Sequence, residues 1–176
     1  IWPGFIKIGV DKGTLSEIDG KIVRAAAVAH RETGLTIAAH TGANPEAVTQ
    51  QLAILKEEGV DPAAWIWVHA HEAAVEDLLA AADAGAWIDL DAIRPGGYGA
   101  HLMRVEALVQ AGHLSQVLLS HDGNSHRLSG RAPKPYDALF TSFIPILEKA
   151  GFDRESAVTL TERNPARAFT VGVRTR

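Results

Sequence analysis

Residues 35–69 read LTIAAHTGANPEAVTQQLAILKEEGVDPAAWIWVH, and this stretch decides the fold class. Leu35-Thr36-Ile37-Ala38-Ala39-His40 is a short apolar run of the kind that forms a buried strand. Val48, Leu52 and Leu55 then recur at the spacing of one helix face, and Gly59 suits the residue just past a helix end. A second apolar run, Trp65-Ile66-Trp67-Val68-His69, follows. Strand, helix and strand in so short a span form a βαβ crossover, which joins parallel strands.

The same unit extends in both directions. Upstream, Phe5-Ile6-Lys7-Ile8 reads as a strand, and Ser16 can cap a helix carrying Ile18, Ile22, Val23 and Ala26 as far as Gly34. Downstream, Val75, Leu78, Leu79 and Ala82 mark a helix ending at Gly85, and Ala86-Trp87-Ile88-Asp89-Leu90 a fourth strand. Arg94-Pro95-Gly96-Gly97-Tyr98-Gly99 is turn-rich and reads as a loop. A helix over Leu102, Val105, Leu108 and Val109 leads to a fifth strand, Val117-Leu118-Leu119-Ser120-His121-Asp122. After a polar loop over 123–134 come a helix with Leu139, Phe143 and Leu147 and a capped turn at Asn164-Pro165. No linker interrupts the series, so residues 1–176 read as one α/β domain.

Five such strands fit an open doubly wound sheet or part of a (β/α)8 TIM-type barrel. Lys7, His40, His69 and Asp122 favour the barrel, because they close four different strands and the ends of parallel strands share one face. Five βα units cannot close eight strands, so three are predicted to precede Ile1.

Composition narrows the classes of function. A net charge of −4 gives no global attraction to nucleic acid or anionic membranes, and Arg127, Arg131 and Lys134 read as a solvated loop. No apolar run is long enough to span a bilayer. The absence of cysteine excludes thiolate metal sites and leaves the compartment open, with the cytoplasm favoured. His30, His101 and His113 fall in or beside helices and read as surface or cap residues, and His71 either supports the site or begins a helix.

Gly4-Phe5-Ile6-Lys7-Ile8, Ala39-His40-Thr41-Gly42, Val68-His69-Ala70, Ser120-His121-Asp122 and Asn164-Pro165-Ala166-Arg167 occur in an order that resembles the phosphotriesterase-like branch of the amidohydrolase superfamily. The resemblance covers nearly the whole chain and implies the C-terminal portion of a metal-dependent hydrolase barrel. It implies two divalent metals, usually zinc, and a carbamate on Lys7 that bridges them. His40 and His69 would hold the second metal, and Asp122 would bind the first and accept a proton from the metal-activated hydroxide. The family's His-x-His pair on its first strand has no counterpart upstream of Lys7 and is expected in a preceding segment. His69-Ala70-His71 has that spelling but stands on the later histidine strand.

The residue types suit that chemistry. An ordinary lysine, with a pKa near 10.4, is protonated and repels cations, whereas its carbamate offers two anionic oxygens. Neutral imidazoles and a carboxylate are good zinc ligands. Two adjacent metals lower the pKa of a shared water and polarise the substrate, and a nearby carboxylate can move the released proton. Substrates implied are small esters, lactones or phosphotriesters, contacted by Arg94 and Tyr98 from the loop after the fourth strand and by Asn124, His126 and Arg127 after the last. An arginine there hints at an anionic substrate. The competing reading is a non-catalytic partial-barrel module for binding or assembly, which lacks the first metal site. A homodimer stays open. A phosphate-binding doubly wound protein is disfavoured, since neither a P-loop nor a Gly-x-Gly-x-x-Gly turn follows a strand.

Overall fold

A computed structural model describes residues 2–123 and 136–175. Asn124, His126, Arg127, Arg131 and Lys134 lie outside the described residues. Strands β1 (Ile6–Gly9), β2 (Ile37–His40), β3 (Trp65–Val68), β4 (Trp87–Leu90) and β5 (Val117–Leu119) form one parallel sheet. Their order in the sheet is their order in the chain.

That sequential order, with a helix on each of the four crossovers, is the winding of a barrel. Residues of α1 (Glu17–Thr33), α2 (Pro45–Glu57), α3 (Val75–Asp83) and α4 (Tyr98–Gln110) all join the core on one sheet face. That face carries Ile37, Ala39, Trp65, Trp67, Ile88, Leu90, Val117 and Leu119. A doubly wound sheet would instead reverse direction and place helices on both faces. The chain is thus five strands of a (β/α)8 barrel, with β1 and β5 as its edges.

Alternation sends the intervening residues to the inner face. Ala38, Ile66, Trp87 and Leu118 cluster there with Ala168 of α7 (Asn164–Ala168). Arg167 lies over the Trp87 ring, 5.6 Å from its centroid. By the same alternation Lys7, His40 and Asp89 face inward, so the inner wall is apolar at one end and polar at the other.

Local chemistry explains the boundaries. Ser16 and Asp19 form a reciprocal capping box at the start of α1. Gly34 ends it in the left-handed region at φ 72°, where a Cβ would meet the Gly172 nitrogen at 2.7 Å. β5 stops at Leu119, three residues short of the expected end, and α4 begins at Tyr98, inside the stretch read as a loop. Two helices, α5 (Ile144–Lys149) and α6 (Arg154–Val158), lead to α7.

Two histidines read as surface or cap groups are buried. His30 Nδ1 lies 2.9 Å from the Leu35 carbonyl oxygen, and its Nε2 accepts from the Arg174 amide at 2.9 Å. The ring thereby ties the C-terminal tail to the end of α1. His101 sits between the carbonyl oxygens of Asp91 (2.6 Å) and Gly97 (3.0 Å). An acceptor and a donor meet the two ring nitrogens of His30, and His101 can donate to one of its two carbonyl oxygens, which makes burial tolerable.

Candidate metal centre

The loops that follow the strands enclose a cleft of about 590 Å³, whose lining includes His40, His69, His71, Arg94 and Asp122. Three of the four expected ligands therefore meet in one place. His40 is the last residue of β2 and His69 the first after β3, turned toward the cleft by a left-handed backbone at φ 65°. Asp122, also left-handed at φ 46°, lies on the segment after β5. The next residue, Gly123, accepts a hydrogen bond from the Tyr136 hydroxyl. Non-glycine residues in this region cost of order 1–2 kcal/mol each, and three of them, His69, Ala92 and Asp122, line this one cleft, the pattern of a functional site.

Lys7 is the second residue of β1 rather than its end, and reaches the polar end from the inner wall. It lines a second, largely apolar hollow with Ile66, Val68, Asp89 and Ser120. Burial lowers its pKa, against the opposing pull of Asp89, Asp91 and Asp122. The direction favours the neutral amine, the form that reacts with carbon dioxide. Burial, and then the neighbouring His69 and Lys7, also lower the pKa of His40, keeping it in the neutral form that ligates metals.

His40 Nδ1 and His69 Nε2 face each other at 2.9 Å. In metal-free protein one of them must carry the proton between them. With both deprotonated, the two nitrogens offer a pair of adjacent lone pairs, and a small parting of the rings would let a divalent cation take the proton's place. The other nitrogen of His69, Nδ1, contacts Asp91 Oδ2. A carboxylate behind the ligating imidazole is the usual support for a metal-bound histidine.

Asp91 is the residue that the sequence reading missed. It directly follows β4, as the other candidates follow or close their strands, and only 2% of its side chain is exposed. Its second oxygen, Oδ1, contacts His71 Nδ1 without hydrogen-bond alignment, and neither atom has another partner. His69, His71 and Asp91 offer donor atoms all within 4.8 Å of one another, so they too can hold a metal among the described residues. The chemistry of this donor set, three imidazoles with Asp91, Asp122 and Lys7 close by, fits a divalent cation.

Asp89, on the inner wall, accepts a hydrogen bond from the Ser120 hydroxyl at 3.2 Å. Burial, reinforced by Asp91, raises its pKa from 3.8 to about 8, with Ser120 and Lys7 pulling the other way. Arg94 lies exposed on the cleft wall, as does Lys12. Tyr98 does not join them: its ring stacks on Phe143 at 6.1 Å and packs against the core, because α4 has already begun there.

Comparisons with known proteins identify the family of the chain. The profile of the phosphotriesterase family matches residues 1–169. The phosphotriesterase homology protein of Escherichia coli is 32% identical over 169 residues, covering 93% of this chain and 57% of that protein. Its crystal structure, with phosphate in the active site, superposes with a TM-score of 0.83 over 95% of this chain and 59% of that one, at 30% identity. An aryldialkylphosphatase of Saccharolobus solfataricus is 30% identical, with 94% of this chain and 57% of that protein aligned. The N-acetyltaurine hydrolase of rat is 24% identical over 89% of this chain and 49% of its own length. The chain therefore spans about half the length of these relatives. The profile match over residues 1–169 and the superposition agree: the chain belongs to the phosphotriesterase family.

Proposed function

We propose that this chain forms one domain, the C-terminal portion of a hydrolase barrel, and supplies one metal site and the proton-transfer group for cleaving ester, lactone or phosphotriester bonds. The observation that carries the reading is the 2.9 Å approach of His40 Nδ1 to His69 Nε2 in a cleft that also holds Asp122.

In this reading His40 and His69 would hold one cation, Asp122 would hold another, and Lys7, as its carbamate, would be a ligand to both. The metals, taken to be zinc, would supply an activated water and polarise the substrate oxygen at neutral pH. The chain's own groups do the rest. Asp122 takes the proton given up by the attacking water on a carboxylate oxygen and passes it to the leaving oxygen as the scissile bond breaks. Arg94 binds an anionic part of the substrate at the cleft wall. Tyr98 is given no role in this reading, its ring being stacked on Phe143.

The test uses the whole protein. It should bind about two divalent metals and hydrolyse an aryl ester or lactone, and Lys7→Ala and Asp122→Asn should each lose turnover by several orders of magnitude. Full activity after exhaustive chelation would refute it. A stable protein that binds no metal would favour the binding-module reading instead.

A further inference from the structure

The contacts of Asp91 go further than support for a single ligand. One carboxylate touches two imidazoles, Oδ2 against His69 Nδ1 and Oδ1 against His71 Nδ1. Both contacts are direct nitrogen–oxygen pairs, so the two Asp91 oxygens are taken up by the two rings. The three residues can therefore act as a clamp, with a cation held on the far side of His69.

From this geometry we infer that Asp91 is a positioning residue, whose two oxygens hold His69 and His71 with their protons on Nδ1 and so turn both Nε2 lone pairs outward. For His69 the outward nitrogen is the one facing His40. For His71 it is Nε2, 3.8 Å from a carboxylate oxygen of Glu72, and both residues line the cleft. The chain thus presents a third imidazole lone pair, that of His71, to substrate at the cleft, beyond the nitrogens of His40 and His69.

The surroundings hold the clamp rigid. His101 Nε2 lies 2.6 Å from the main-chain oxygen of Asp91, and the His101 ring stacks on His71 at 5.5 Å with 13° between planes. His101 therefore fixes both the carboxylate's backbone and one of its two clients. Ala92, next to Asp91, adopts the left-handed region at φ 58°, as His69 does, so the backbone on both sides of the clamp is bent to bring the groups together. Asp91 Oδ1 and His71 Nδ1 are both buried without an aligned hydrogen-bond partner, and a small rotation of either group would pair them.

The inference rests on the metal reading above, so its test has one arm without metal. In metal-free whole protein with labelled histidine, nitrogen NMR should give both His69 and His71 the Nδ1–H pattern. Asp91→Asn, nearly isosteric, offers a single acceptor oxygen, so at least one ring should lose that pattern. In the second arm, chelator competition should show zinc affinity reduced about 10–100-fold in Asp91→Asn. His71→Phe, which keeps the stack on His101, should lose much less. Unchanged ring patterns and unchanged zinc affinity in Asp91→Asn would overturn the inference. So would a loss in His71→Phe as large as in His40→Phe, since the ion would then sit inside the clamp. If the wild-type protein binds no zinc, the metal reading fails, and the NMR arm still decides whether Asp91 orders the two rings.

Discussion

Replacing Asp89 with asparagine should stabilise the metal-free protein at alkaline pH and leave it unchanged in acid. The carboxyl lies between Ser120 and the inner wall, with its folded pKa raised from 3.8 to about 8, first by burial and then by Asp91. A carboxyl raised in this way keeps its proton longer when folded than when unfolded. Its contribution is fully present below pH 4 and is lost as pH climbs toward 8. At about 1.36 kcal/mol per unit, the separation between 3.8 and about 8 sets an upper limit of ~6 kcal/mol. Relaxation and water entry at the inner wall reduce this, so we expect ~2–3 kcal/mol. Asparagine keeps the shape and an acceptor for the Ser120 hydroxyl but cannot ionise. Urea unfolding at pH 4.5 and 8.5, with chelator present, measures the effect. The variant should lie much closer to wild type at the lower pH and exceed it by that amount at the higher. Equal stability at pH 8.5, or a variant weaker at both values, would refute the reasoning.

Other consequences follow from the same geometry. Gly34→Ala places a Cβ 2.7 Å from the Gly172 nitrogen on a backbone at φ 72°; it should cost ~1–3 kcal/mol in thermal or urea unfolding while metal binding stays intact. Lys7→Met removes an amine whose charged form is disfavoured by burial, so the metal-free variant should be more stable than wild type at neutral pH although it loses turnover. Arg94→Ala should raise KM about tenfold for an ester carrying a carboxylate and leave a neutral aryl ester unaffected, as steady-state kinetics would show.

The fold was legible because its signals are local. Apolar runs such as Trp65–Val68, separated by helical spacing and closed by glycines, repeat with little interruption, and the barrel followed from candidate ligands on several strands. The rule that found His40 and His69 also applied to Asp91. It was missed because the strand pattern Trp87-Ile88-Asp89-Leu90 ends one residue earlier, and an aspartate there reads as the start of a turn. His71 stayed open between supporting the site and beginning a helix, because its contact with Asp91 could not be read from the sequence. His30 and His101 were misjudged for a related reason: whether a histidine on a helix faces water or the core depends on distant carbonyl and amide partners, here Leu35, Arg174, Asp91 and Gly97. Tyr98 was drawn into the site by a glycine-rich stretch that in fact starts a helix, where the ring finds Phe143.

The most direct test is an anomalous-scattering map of the whole protein grown with zinc. The account predicts a peak within coordinating distance of both His40 Nδ1 and His69 Nε2, with Asp91 still against His69 Nδ1 and added density beyond the Lys7 amine. A map without a peak at that pair, or with its peak among His69 Nδ1, His71 and Asp91, would contradict it.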